Sequence, residues 1–165
     1  MRSMTRVLAS LVVALALAVP LVASEKRPLP DVAATAADGS RISLAALAAE
    51  GHWLLIHVAT DSTPSARLVA GLKEWQAEVP QLADRAVLVF SGSADQVGQF
   101  VSGRGDGMPA GRWLVDADGS AAKALRVTGA PTIIGVADGR IEWVLTGVLN
   151  DPKTFQKALT GWVSR

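Results

Sequence analysis

The sequence predicts an α/β domain: a central mixed β-sheet flanked by helices, with an N-terminal β-hairpin extension. Three observations carry this. The run His52 to Ala59 is nearly continuous in apolar residues, as a strand covered on both faces requires. It leads into a turn and a helix opened by Pro64, a residue that costs nothing in a first helical turn because its missing N–H has no partner there anyway. The chain then alternates strand and helix, and closes with a strand, an Asp138-Gly139 turn, a second strand and a helix, an order that makes the sheet mixed.

The elements follow from local chemistry. Arg2 and Arg6 precede an uncharged run from Val7 to Ala23 that ends in the small residues Val22-Ala23-Ser24. This is the plan of a secretory signal over residues 1–24, cut after Ser24, and the run is short for a membrane span of about 20 residues. Residues 25–165 are then one domain. Glu25 to Pro30 reads as a tether. Val32 to Thr35 and Arg41 to Ser43 flank Asp38-Gly39, a strong hairpin signal, and Ser43 caps a short helix, Leu44 to Ala49. From Pro64 to Val79, Leu68, Leu72, Trp75 and Val79 recur at helical spacing and form one apolar stripe. Ala86 to Ser91 is the second central strand, Asp95 to Val101 a helix ended by Gly103, and Arg112 to Val115 a strand. Asp116-Ala117-Asp118-Gly119 is its turn, lacking the further carboxylates of a calcium loop. Thr132 to Val136 and Arg140 to Thr146 form the last pair. Asp151 caps a terminal helix that buries Phe155, Leu159, Trp162 and Val163.

Composition narrows the function classes. The chain has 16 basic and 15 acidic residues and no cysteine. Loss of Arg2 and Arg6 with the leader brings the balance close to neutral, which gives no footprint for nucleic acid, and no membrane contact is expected after cleavage. About 140 residues suffice for a core without disulfides. The Arg-bearing leader and the lack of an Asn-x-Ser/Thr sequon point to a bacterial periplasm.

Two motifs carry a resemblance. The strand-to-helix turn reads Ala59-Thr60-Asp61-Ser62-Thr63-Pro64-Ser65, and some 65 residues later comes Val127-Thr128-Gly129-Ala130-Pro131-Thr132. Together with Leu29-Pro30-Asp31-Val32 and Asp38-Gly39-Ser40 near the start, the chain resembles the thioredoxin-like superfamily, specifically exported redoxins of the TlpA and ResA type, over about residues 29–163, nearly all of the chain after the leader. The resemblance implies a thioredoxin-like fold with a cis-proline at Pro131 facing the turn. It also exposes a loss: serine stands at both positions, 62 and 65, where such redoxins carry their redox cysteines. Asp61 replaces the preceding aromatic residue, and Ser65-Ala66-Arg67-Leu68-Val69-Ala70 lacks the family's acid and helical proline. A thiolate is nucleophilic by virtue of its pKa, whereas a serine needs a neighbouring base. The site is a degenerate redox site.

The site residues are therefore Asp61, Ser62, Thr63, Pro64, Ser65, Ala130 and Pro131, read as a binding surface for an extended peptide or a partner protein, with no cofactor and no catalytic residue. The alternative is an enzyme of non-thiol chemistry, a hydrolase or transferase, using Ser62 with His57 or Asp61 as base. No Gly-x-Ser-x-Gly elbow supports it. His52 and His57 lie five residues apart on one strand and so face opposite ways, which excludes joint metal chelation. His57 is expected to be partly buried and bonded to backbone, and His52 exposed. The five tryptophans, spread over separate elements, read as core filling.

Overall fold

The structure is a computed structural model that describes residues 22–23, 26–109, 111–147 and 151–165. In chain order it contains strands β1 (Val22–Ala23), β2 (Arg27–Pro28), β3 (Ala33–Ala36) and β4 (Arg41–Ser43), helix α1 (Leu44–Leu47), and strand β5 (His52–Ala59). Helices α2 (Thr63–Glu78) and α3 (Gln81–Arg85), strand β6 (Ala86–Ser91), helix α4 (Ala94–Ser102) and a 3-10 turn (Gly105–Gly107) follow. Strand β7 (Arg112–Asp116), helix α5 (Ser120–Ala124), strands β8 (Thr132–Ala137) and β9 (Arg140–Thr146) and helix α6 (Pro152–Val163) complete it. The described strands form one sheet in the order β1-β9-β8-β5-β6-β7-β3-β4, with β2 also on β9. β5, β6 and β7 are parallel while β8, β9 and the β3–β4 hairpin are antiparallel, so the sheet is mixed, as the order of elements predicts.

Strand alternation divides the interior into two cores. Leu54, Ile56 and Val58 face Leu68, Leu72, Phe100, Phe155 and Leu159 of α2, α4 and α6. Trp53 and Leu55 face the other way, onto Leu44 of α1, Ala121 of α5 and Leu125 just after it. Each such aliphatic or aromatic side chain, taken fully out of water, contributes about 1.5–3 kcal/mol. These two layers hold the ends of β5, β6 and β7, and with them the turns that follow, in fixed positions.

The start of the domain differs from its reading as a tether. Arg27 and Pro28 pair with Ile141 and Arg140 of β9, the Leu29 N–H donates to Gly139 O at 2.9 Å, and the Leu29 side chain is buried. The physical reason is that β9 would otherwise end the sheet with unpaired main-chain groups, and Leu29 has apolar surface to bury. Val22 and Ala23 likewise pair with Leu145 and Val144, whereas residues 1–21 and 24 of the expected leader lie outside the described residues. The hairpin forms around Asp38-Gly39, its first strand beginning one residue later than expected. Helices α3 and α5, five residues each, are additions to the sequence reading.

Candidate functional site

The turn after β5 is built by its own serines. The Ser62 N–H donates to Ala59 O at 3.2 Å and closes the turn. Ser62 is the N-cap of α2: its hydroxyl oxygen accepts the Ser65 N–H at 3.2 Å, supplying one of the partners that a helix start lacks. Ser65 is fully buried, and its hydroxyl oxygen accepts the Ala59 N–H at 3.2 Å. Both hydroxyls thus splice strand to helix. Asp61, Thr63 and Pro64 are exposed at the outer side of the turn, and Ser62 is half-buried.

The second part of the site arrives from sequence 68 positions away: the Ser62 hydroxyl points to Ala130 O at 3.5 Å, a long contact near the limit of a hydrogen bond. The Ala130–Pro131 peptide bond is cis. The loop is held from both sides, with the Gly147 N–H donating to Pro131 O at 2.8 Å and the Thr132 hydroxyl to Gly129 O at 2.7 Å. Pro131 and Thr132 are buried, while Ala130, like Gly129, is half-buried, and Ala130 is the one in contact with Ser62.

His57 lies behind the turn and departs from its sequence reading. It is 6% exposed, and neither ring nitrogen has a hydrogen-bond partner among the described residues. Burial lowers its pKa from the ordinary 6.5, and the nearby charge of Asp116 raises it in part, leaving a neutral imidazole. Asp116, read from sequence only as part of a turn, is itself buried and accepts the N–H groups of Ala121 and Ala122 at 2.9 and 2.8 Å. An Asp four residues before the first residue of α5 was the available signal, but its approach to His57 depends on pairing across β6. His52, expected to be exposed, is half-buried with its ring edge-on to Trp162 at 4.7 Å.

A serine nucleophile needs a base within hydrogen-bond reach. His57 makes no hydrogen bond to Ser62, and the Ser62 oxygen is occupied by the N–H it caps. Among the described residues no group of three His, Cys, Asp or Glu side chains could hold a metal ion, and no helix is long and apolar enough to cross a membrane. The arrangement can present main-chain groups and a shallow polar surface.

No family model and no curated protein matches the chain. Solved structures do. A secreted thiol-disulfide isomerase from Corynebacterium glutamicum aligns with a TM-score of 0.67 at 16% identity, over 95% of this chain and 99% of that one. A thiol:disulfide interchange protein of the thioredoxin family from Chlorobium tepidum aligns at 0.62 and 18%, over 86% and 99% of the two chains. A secreted Mycobacterium tuberculosis disulfide oxidoreductase, homologous to E. coli DsbE, aligns at 0.59 and 20%, over 81% and 95%. At these identities the likeness speaks for architecture: the chain has a thioredoxin-like fold, similar to thiol:disulfide interchange proteins, in a sequence without cysteine.

Proposed function

We propose that this chain is an exported, non-catalytic thioredoxin-like module that holds an extended peptide or partner protein at the Ser62–Ser65 turn and the Ala130–Pro131 loop. The observation that carries the reading is the state of the two hydroxyls: each accepts a backbone N–H of the strand-to-helix junction, in a chain that has no thiol to offer. What remains suited to a ligand is the surface of Asp61, Thr63 and Pro64 beside Ser62 and Ala130. An added extended chain binds through main-chain groups and needs no sulfur. In this reading residues 1–24 are an export signal, residues 25–165 act in a bacterial periplasm, and the cut after Ser24 releases Val22–Ala23 from β9. Support comes from the Arg-flanked apolar leader and from similar structures described as secreted.

The test is capture of envelope proteins and peptides by residues 25–165, with chemical-shift mapping of whatever is captured. Ala130→Trp, which fills the surface between loop and turn, abolishes capture, while Ser62→Ala keeps it. Hydrolysis of model esters by the purified domain, lost in Ser62→Ala, would replace this reading with the enzyme alternative.

A further inference from the structure

Away from the turn, helix α4 leans over the outer strands of the sheet and leaves a cleft of about 530 Å³ between itself and the β3–β7 pair. Its floor comes from Ala36, Trp113 and Val115, and its wall from Val97, Gly98 and Val101; no charged side chain lines it. The volume falls in the range of small-molecule sites, roughly 300–1,000 Å³. The polar groups present are largely occupied. The Trp113 indole N–H donates to Pro109 O at 3.3 Å, and the Ser102 hydroxyl donates to Gln99 O at 3.2 Å.

Gly98 points to why the cleft is open. It sits inside the nine-residue helix α4, where glycine is the costliest residue after proline, yet a Cβ placed on it would meet nothing within 4 Å. Gly71 in α2 is different, since a Cβ there would lie 3.0 Å from Trp75, so packing accounts for it. Gly161 of α6 is as unhindered as Gly98 but lies outside the cleft. Packing gives no reason for glycine at position 98, an exposed position in the cleft lining.

The chemistry of the walls selects the occupant. β7 already pairs with β3, and β3 with β4, so a peptide lying there finds no main-chain edge to join. Its amides would enter a lining with almost no free hydrogen-bonding groups, which is costly. We propose that this cleft binds an uncharged, chain-like apolar molecule, an alkyl or alkyl-aromatic compound, lying along α4. The site is separate from the Ser62 turn and does not depend on its reading.

The experiment titrates the isotope-labelled domain, residues 25–165, with primary alkanols from butanol to decanol and follows amide shifts and Trp113 fluorescence. Saturable shifts are expected at the cleft residues, tightening about fourfold per added methylene until the chain outgrows the cleft. Gly98→Leu, which sets a large side chain at the cleft lining, is expected to fold, to melt at a higher temperature, and to lose alkanol binding by at least tenfold. Shifts scattered over the surface, affinities independent of chain length, or equal binding by a folded Gly98→Leu variant would each overturn the proposal.

Discussion

Replacing His57 by phenylalanine should stabilise the protein and flatten its response to acid. In the folded chain both imidazole nitrogens are buried without a partner among the described residues, and the pKa lies below 6.5 because burial penalises the charged ring. An unsatisfied buried polar group costs about 1–3 kcal/mol, which a phenyl ring of similar shape would not incur. The sign of the pH effect follows from linkage. As pH falls below 6.5 the unfolded chain binds a proton at this histidine that the folded chain refuses, so the unfolded state is favoured. Stability therefore drops on acidification, with a slope from this one group of at most about 1.4 kcal/mol per pH unit. Asp116 opposes the shift in part, and among the described residues it is the charge that acts on the ring. Urea unfolding of wild type and His57→Phe at a series of pH values between about 5 and about 8 measures both effects. Expected are a midpoint raised at every pH and a gap that widens toward acid. Parallel profiles, or a less stable variant with unchanged m-value, would refute the account of His57 as a buried neutral ring.

Other outcomes follow from the same contacts. Gly135→Ala would set a Cβ into the indole ring of Trp143, so it should cost about 1–3 kcal/mol of overpacking plus part of the Trp143–Trp162 ring contact; in a Trp143→Ala background the penalty should nearly vanish, as a double-mutant cycle by thermal melting can show. Ser62→Ala should lower stability by about 0.5–2 kcal/mol through loss of the α2 cap, measured by urea unfolding. Ser65→Ala leaves the Ala59 N–H without its acceptor, and a loss of about 1–3 kcal/mol is expected in the same assay. Insulin reduction by the purified domain should not exceed the buffer blank, because thiol–disulfide exchange passes through a thiolate and this chain has no cysteine.

What could be read from sequence divides along the range of the interactions involved. β5 and β6 were legible because a strand buried on both faces must be apolar throughout, and α2 because Leu68 and Leu72 keep its period. α3 and α5 are too short to show a period, and both depend on packing, through Leu82 and Ala121, for their place. The Ser62 cap could be read from residues adjoining a helix start. The meeting of Ser62 with Ala130 could be expected only through resemblance, since no local pattern links residues so far apart. His57 misled for a like reason: its surroundings come from β7 and from the absence of any bonded partner, neither visible along β5. The α4 cleft is assembled from three separate segments, so no single stretch announces it.

The short link between β2 and β3 constrains the shape of the whole sheet. Pro28 lies outside β9 at one edge, and five residues later Ala33 opens β3 near the other. Five residues can reach no more than about 18 Å. Six strand spacings separate those two seats in the strand order, roughly 29 Å if the sheet were flat. The sheet must therefore roll up, bringing its margins toward each other around the core of Trp53, Leu55, Ile134 and Ile141, with Leu29 and Val32 drawn across the opening. The link works as a drawstring. A nick at exposed Asp31 would cut this tie between the two margins while leaving β2 paired with β9 and β3 paired with β7.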